Sequence, residues 1–253
     1  MSTILILGAT SAVAGRIARY FAEEHQESNH HFFLVGRRDE SLQALSSELV
    51  MLGHSVAGVG VVDFMDIEAT GQVIRDAYAA LGSFDYALIA HGMIGDQLLS
   101  ESQVSEALHI VDTNYRTVVA QLVVLHGLMS SQFHGKIGVI TSVAGDRGRP
   151  RNFTYGSAKG ALHLYLQGMR SVAWGSGLQI YTFKLGPVDS PMTVDHEKNF
   201  SFTSVDDAAR HIYQAFESRR YVHYVPGYWA WVMWVVRWLP ERLFQKLGFL
   251  SDR

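Results

Sequence analysis

A tyrosine and a lysine four residues apart carry the clearest chemical signal in this sequence. Tyr155 and Lys159 stand at the start of a stretch with helical spacing, so both lie on one helix face. A phenol with a pKa of about 10 transfers protons poorly at neutral pH, and a nearby ammonium lowers that pKa by stabilising the phenolate. Ser142 follows an apolar run, and its hydroxyl could orient a substrate oxygen. This set predicts acid–base chemistry on a substrate oxygen.

A glycine-containing turn lies between the first apolar run and the first helical stretch, from Gly8 to Gly15. A strand, a glycine turn and a helix N-terminus present free backbone N–H groups, which suits a dinucleotide pyrophosphate. Ala12 and Ala14 stand where the usual pattern has glycine, so an ordinary tight turn is the alternative interpretation.

Two arginines follow the second apolar run. An NAD-specific protein normally places an acidic residue there, whereas Arg37 and Arg38 would attract a 2′-phosphate through charge-assisted hydrogen bonds. The sequence therefore predicts NADP(H) as the cofactor. The alternative is a solvated basic turn that opens the helix beginning near Asp39.

Apolar runs alternate with helical stretches along the whole chain, and this alternation predicts a doubly wound α/β fold. We expect one Rossmann-type domain over residues 1–225 with a helical C-terminal extension over 226–253. The predicted strands are Ile4–Leu7, Phe32–Val35, Val56–Val62, Tyr86–Ala90, Ile137–Thr141, Gln179–Lys184 and Tyr221–Val225. The predicted helices are Ala12–Glu24, Leu42–Leu52, Ile67–Leu81, Val104–Met129, Tyr155–Trp174 and Val205–Phe216.

One connection is unusually long. Residues 186–203 contain two prolines and no helical period, and loops of that length are commonly functional. It emerges at the carboxyl ends of the strands, where ligands bind in open parallel sheets.

Taken in order over about residues 3–225, these motifs resemble the short-chain dehydrogenase/reductase family. The resemblance implies that Ser142 orients a carbonyl and Tyr155 is the general acid/base. It also implies that Lys159 lowers the pKa of Tyr155 and holds the nicotinamide ribose, while Asn114 supports a water relay to the lysine.

The resemblance also implies a cofactor-binding set. Its members are Gly8, Thr10, Ser11, Ala12, Val13, Arg37, Arg38, Asp63, Ala90, Gly92, Tyr155, Lys159, Gly186 and Val188. Two further departures, together with Ala12 and Ala14, mark a divergent branch. Ala90-His91-Gly92 occupies the place of the family's Asn-Ala-Gly motif, so the asparagine is missing, and Leu185 stands for the usual proline before Gly186.

Charged residues are concentrated between Ser142 and Tyr155. Asp146, Arg147, Arg149 and Arg151 are expected to form a solvated loop, and the alternative is that one of them contacts an anionic substrate.

The C-terminal extension carries four of the five tryptophans, at Trp229, Trp231, Trp234 and Trp238, after Tyr228. With Arg237, Arg242 and Lys246 beside them, they suit a helix lying at a membrane surface. Packing on the domain itself or on another subunit is the alternative. The apolar stretch of residues 225–239 is too short and too interrupted for a spanning helix.

Composition excludes several classes. The 253 residues are 48% hydrophobic and 18% charged, with net charge −3 and no cysteine. A sizeable core is possible, while disulfides, thiolate metal sites and a basic nucleic-acid footprint are not. We expect no metal and no secretory signal, a cytoplasmic homo-oligomer and peripheral membrane contact only through the extension.

The leading hypothesis is an NADP(H)-dependent oxidoreductase that interconverts a carbonyl and a secondary alcohol, acting on a small-molecule or lipid-linked substrate. One alternative is a reductase of a lipid-linked keto-sugar at the membrane surface. Another is a non-catalytic regulatory protein that binds NADP(H), and a third is a scaffold held by the aromatic extension.

Overall fold

The computed structural model describes residues 1–24, 29–194, 198 and 201–247. Its strands are β1 Thr3–Leu7, β2 His31–Gly36, β3 Ser55–Val61, β4 Tyr86–Ile89, β5 Lys136–Ser142, β6 Gln179–Leu185, β7 Val188–Asp189, β8 Thr203–Ser204 and β9 Val222–Val225. Within these described ranges, seven strands form one parallel sheet in the order β3-β2-β1-β4-β5-β6-β9, and β7 pairs with β8. The predicted parallel sheet is confirmed.

Helices cover both faces of this sheet. They are α1 Ala12–Glu24, α2 Asp39–Met51, α3 Ile67–Leu81, α4 Gln97–Ser100, α5 Val104–Val111, α6 Thr117–Met129, α7 Phe153–Val172, α8 Val205–Phe216, α9 Trp229–Trp238 and α10 Glu241–Lys246. Residues of α1, α2 and α8 share one hydrophobic cluster, while α3, α6 and α7 share the other. The chain is therefore doubly wound, as the sequence predicts.

Side-chain alternation along β1 divides the core between the two faces. Ile4 and Ile6 belong to the first cluster, and Leu5 and Leu7 belong to the second. All four are at most 1% exposed. Burying such a side chain contributes about 1.5–3 kcal/mol, so a continuous apolar run is the natural sequence for a central parallel strand.

The predicted helix Val104–Met129 is interrupted in the structure. A π-helical turn, Asp112–Arg116, separates α5 from α6. Short elements were not predicted, because α4 and the β7–β8 pair are too short to show a hydrophobic period. Part of the long connection, residues 195–197 and 199–200, lies outside the described residues.

The C-terminal extension forms α9 and α10. Trp229, Met233 and Val236 on one face of α9 pack with Val143 and Phe244. In the described part of the chain, no helix combines the length and the apolar character needed to cross a membrane.

Candidate active site

The predicted chemical groups meet at the carboxyl end of β5. Ser142 is the last residue of β5, and Tyr155 and Lys159 lie in the first turns of α7. The Ser142 hydroxyl donates to the Leu185 carbonyl at 3.3 Å and accepts the Ala144 N–H at 3.1 Å. These two bonds fix the serine at the edge of the sheet where ligands bind in this architecture.

Glycines let α7 approach the turn after Ser142 closely. A Cβ on Gly156 would lie 2.8 Å from the Ala144 carbonyl oxygen, and one on Gly160 would lie 2.8 Å from that of Gly145. A Cβ on Gly145 would lie 2.7 Å from the Gly160 nitrogen. Real Cβ atoms do not come this near to backbone, so the glycines allow Ser142 and α7 to share one site.

Burial governs the Tyr155 hydroxyl. Burial raises the pKa of Tyr155 to about 12, although the hydrogen bond with Ser142 acts in the opposite direction. The Lys159 Nζ lies 5.7 Å from the Tyr155 ring centroid. Desolvation of the phenolate is the largest contribution to this shift, and Lys159 is not among the groups that shift the pKa of Tyr155 in this structure. Tyr155 is protonated at neutral pH.

Lys159 is buried with little to stabilise its charge. It is 3% exposed, its Nζ donates to the Ile140 carbonyl at 3.5 Å, and burial lowers its pKa to about 8. A Cβ on Gly92 would lie 3.2 Å from this Nζ and 2.8 Å from the Asn114 Oδ1. Gly92 thus keeps space open between the lysine and the asparagine.

The π-helical turn positions Asn114. Its Nδ2 donates to the carbonyls of Met93 at 2.7 Å and Ile110 at 2.9 Å, and its Oδ1 accepts the Met93 N–H at 3.2 Å. Asn114 is fully buried and holds the loop after β4 against the site.

A buried polar network supports the turn after Ser142. The Asp146 carboxylate accepts from Lys184 at 2.5 Å and Tyr224 at 2.6 Å, and His163 Nδ1 lies 3.4 Å away. Burial alone would raise the pKa of Asp146, but the bonds from His163, Lys184 and Tyr224 outweigh it and the pKa falls. The network ties the turn to β6, β9 and α7.

The glycine turn after β1 lies against the loop after β4. Gly8 has φ +91°, and a Cβ there would lie 2.8 Å from the His91 nitrogen. Only glycine adopts this conformation freely, and the close approach excludes a side chain as well. The first N–H groups of α1, from Ala12 onward, have no acceptor within the helix and face this edge of the sheet.

The two arginines after β2 differ in their contacts. Arg38 Nη2 donates to the Thr10 carbonyl at 3.1 Å, whereas exposed Arg37 makes no hydrogen bond or ion pair with any residue the structure describes. Asp63, also exposed, accepts the Met65 N–H at 3.0 Å. Arg37 is thus free to bind a ligand, and Arg38 holds the glycine turn.

His91 has a packing role. Its ring stacks on Phe64 with centroids 4.3 Å apart, and its Nε2 lies 3.0 Å from the Gln121 Oε1. Burial lowers the pKa of His91 to about 4, so the ring is neutral at physiological pH.

Trp229 reaches the site from the C-terminal extension. Its indole packs directly on Gly186, where a Cβ would overlap the indole nitrogen. The residue is 9% exposed, and its Nε1–H has no hydrogen-bond partner within the described ranges. Val188, in β7 just beyond Gly186, is buried.

These residues fit a nicotinamide dinucleotide. One edge of the sheet carries the free N–H groups of α1, the space kept by Gly92 and the Lys159 ammonium with its single weak hydrogen bond. Arg37, which pairs with none of the described residues, lies at the end of β2 on the same edge. Phosphate, ribose and carboxamide groups need this series of donors.

The solvated-loop prediction for Asp146, Arg147, Arg149 and Arg151 is wrong for three of these four residues. Asp146 is enclosed by its network, with a side chain only 3% exposed, and Arg149 is 8% exposed. Arg147 donates to the carbonyl of Leu239 at 2.9 Å, and only Arg151 behaves as expected and is exposed. Sequence reasoning missed the roles of Asp146, Arg149 and Trp229, because their partners are distant in sequence.

Comparison with known proteins agrees with this geometry. The family model of the short chain dehydrogenases matches residues 2–200. An uncharacterised oxidoreductase of Streptomyces coelicolor is 31% identical over 245 residues, which cover 97% of this chain and 95% of that protein. The chain therefore belongs to the short-chain dehydrogenase/reductase family and is an oxidoreductase of that family, whose fold binds a nicotinamide cofactor.

Solved structures share the fold. Actinorhodin polyketide ketoreductase with NADPH superposes with TM-score 0.77 at 18% identity, covering 90% of this chain and 96% of that one. A short chain dehydrogenase of Mycobacterium paratuberculosis bound to NAD gives TM-score 0.74 at 17% identity, covering 86% and 91%. At such identity, the likeness concerns the fold alone.

Proposed function

We propose that this protein is an NADP(H)-dependent oxidoreductase that interconverts a carbonyl and a secondary alcohol, with Tyr155 as the general acid/base. One observation carries the proposal. Ser142, Tyr155 and Lys159 meet at the ligand-binding edge of the sheet, and Asn114 and Gly92 keep space beside the lysine.

Each residue has a role that its geometry supports. The Ser142 hydroxyl, which interacts with the phenol, orients the substrate carbonyl oxygen beside Tyr155. When bound, the nicotinamide cofactor supplies or accepts the hydride. Tyr155 donates its proton to the oxygen during reduction, and its raised pKa keeps that proton available. Lys159 binds ribose hydroxyls and, with Asn114, returns a proton to Tyr155 through water.

Cofactor preference follows from Arg37. It follows β2, where dinucleotide-binding folds of this type bind the ribose, and its guanidinium pairs with none of the residues that the structure describes. The structural neighbours were solved with NADPH in one case and NAD in another, so both cofactors occur on this fold. Arg37 is the feature of this chain that favours NADPH.

The experiment tests a panel of ketones and aldehydes with NADPH and monitors the oxidation of the cofactor. Tyr155→Phe keeps the ring and removes the hydroxyl, and turnover should fall by at least about 10² while NADPH still binds. Tyr165→Phe on the same helix is the matched control and should keep wild-type turnover. NADPH binding without turnover on any carbonyl, and no effect of Tyr155→Phe on binding, would instead support a non-catalytic regulatory role.

A second candidate is reduction of a lipid-linked keto-sugar at a membrane surface. It is favoured by the outer face of α9, where Trp231 and Trp238 are each 75% exposed and Trp234 is 57% exposed. The test compares a keto-sugar carried on a long apolar chain in vesicles with the same keto-sugar free in solution. A preference for the vesicle-bound form of at least about 10-fold in kcat/KM supports this candidate, and equal values exclude it.

A further inference from the structure

A buried arginine between Ser142 and Tyr155 in the sequence has no anionic partner among the residues that the structure describes. Arg149 is 8% exposed, and its Nη2 lies 3.4 Å from the sulfur of Met233. Its Nε has no hydrogen-bond partner in the described part of the chain. A guanidinium keeps its charge at physiological pH, and a buried charge is costly unless it is paired. Such an arrangement is expected where a ligand supplies the missing charge.

Asp146 does not neutralise this arginine. Its carboxylate is engaged by Lys184, His163 and Tyr224, and none of the carboxylates in the described ranges lies within ion-pair distance of Arg149. Burial and the like charge of Arg151 both lower the pKa of Arg149, and Asp146 only partly opposes them. The surroundings therefore disfavour the charge that the residue carries.

Backbone hydrogen bonds connect Arg149 to the start of α7, the helix that carries Tyr155. The Asn152 N–H donates to the Arg149 carbonyl at 3.1 Å, and the Gly156 N–H donates to the Asn152 carbonyl at 2.8 Å. Met233, which Arg149 contacts, lies one helical turn from Trp229 on the inner face of α9. The Trp229 indole N–H on that face, which no described residue accepts, is a second buried donor beside Gly186.

We propose that Arg149 binds an anionic group of the substrate, a phosphate or a carboxylate, while the carbonyl lies between Ser142 and Tyr155. The inference rests on the proposed function and narrows its substrate class to acidic carbonyl compounds. The planar guanidinium fork suits either anion, and the Trp229 N–H supplies a further bond.

This anion is not the 2′-phosphate of the cofactor. Arg37 follows β2, whereas Arg149 lies beyond β5, and the strand order places β1 and β4 between them. At about 4.8 Å per strand, the two strand ends are roughly 14 Å apart.

The first test measures anion binding without turnover. The full-length protein saturated with NADP⁺ is heated with inorganic phosphate, with acetate, or with chloride at equal ionic strength. Wild type and Arg151→Met, which removes an exposed neighbouring charge, should be stabilised by one of the two anions. Arg149→Met should lose this response. Stabilisation by phosphate indicates a phosphate-bearing substrate, and stabilisation by acetate indicates a carboxylate. The measurement does not depend on turnover of a carbonyl.

The second test measures substrate discrimination. Two pairs serve as substrates: a phosphorylated keto-sugar with its unphosphorylated form, and a keto acid with its amide. The ratio of KM for the neutral member to KM for the charged member should fall roughly 10-fold or more in Arg149→Met. Arg149→Lys should give an intermediate ratio, and Arg151→Met should leave the ratio unchanged.

An anion response that is equal in wild type and Arg149→Met overturns the proposal, as does an unchanged KM ratio. If Arg149→Met does not fold, Arg149→Lys decides in both measurements, since it keeps the charge and changes only the donor geometry. Absence of turnover on every carbonyl, with the Arg149-dependent anion response intact, would refute the oxidoreductase proposal and leave the anion site standing.

Discussion

At the scale of single residues, burial rather than charge pairing sets the protonation of the central pair. Tyr155 has its pKa raised to about 12 and Lys159 has its pKa lowered to about 8, both chiefly by desolvation. Each residue is thereby kept closer to its neutral form than it would be in water. An active site of this kind gives up stability for chemistry.

Lys159 therefore makes the folded state less stable at neutral pH, and Lys159→Met tests this. The folded-state pKa falls from 10.5 to about 8, so the penalty is complete below pH 8 and disappears as pH rises towards 10.5. At pH 7, the free energy of unfolding of the variant should exceed that of wild type by as much as about 3 kcal/mol, and the variant should lose activity. Urea denaturation at pH 7 and pH 10 measures this, with a smaller difference expected at pH 10. A variant less stable than wild type at pH 7 would contradict the interpretation.

Arg37 provides the second test at this scale. Arg37→Ala should weaken NADPH binding about 10- to 100-fold and change NADH binding by less than about 3-fold, because only NADPH carries the 2′-phosphate. Fluorescence titration with each cofactor measures both affinities. Arg38→Ala is the control, and it should weaken both cofactors alike since Arg38 holds the Thr10 carbonyl. Equal losses in Arg37→Ala would refute its phosphate role.

At the scale of elements, the approach of α7 to the turn after β5 is what makes the site. Gly156 and Gly160 lie on the helix face that meets this turn, one helical turn apart, and place Tyr155 and Lys159 beside Ser142. The Asp146 network fastens the same turn from the other side. The catalytic spacing thus depends on residues that themselves contact no substrate.

Two alanine substitutions on α7 test this packing. Gly168 is exposed, and a Cβ there meets nothing within 4 Å, so Gly168→Ala should stabilise the protein by about 0.5–1 kcal/mol through helix propensity. Gly160→Ala should instead destabilise it by about 1–3 kcal/mol, because its Cβ would collide with the Gly145 carbonyl, and should lower kcat. Thermal unfolding and turnover of both variants provide the measurement. Similar stabilities for the two would show that the close approach is unimportant.

At the scale of the whole molecule, α9 has two apolar faces. Its inner face packs on the domain, where Trp229 contacts Gly186, while its outer face exposes Trp231, Trp234 and Trp238 to solvent. Arg237, Arg242 and Lys246 are exposed on the same segment, and each adds about 1 kcal/mol near an anionic bilayer. We propose that this face binds an anionic membrane surface, which would bring a lipid-linked substrate to the site.

Vesicle co-sedimentation tests the outer face. The full-length protein should sediment with vesicles containing phosphatidylserine, and the triple variant Trp231→Ser, Trp234→Ser, Trp238→Ser should not. Trp174→Ser removes another exposed tryptophan, just beyond the C-terminal end of α7, and should sediment like wild type. The membrane proposal is contradicted if the wild-type protein stays in the supernatant. If the wild type is then oligomeric and the triple variant is not, the face is a subunit contact.

Much of the architecture follows from the sequence itself. Each central strand is a continuous apolar run, as parallel strands buried on both faces require, so the seven predicted strands match the sheet within a residue or two at either end. The sequence also predicts Ser142, Tyr155 and Lys159 as one site, because the i, i+4 spacing of Tyr155 and Lys159 and the position of Ser142 at the end of a strand are local properties of the chain, whereas Asn114 is predicted from the resemblance to the family. The elements α4, β7 and β8 were not predicted, because they contain too few residues to show a hydrophobic period.

Tertiary structure decided what depends on partners far apart in sequence. Asp146 and Arg149 look like surface charges in a polar loop, yet β6, β9 and α9 cover them with residues 38 to 84 positions away. The same holds for Trp229, which is indistinguishable in sequence from the exposed tryptophans that follow it. Burial, and with it the pKa of Tyr155 and Lys159, is a sum over all surrounding elements, and so no local pattern of residues contains it.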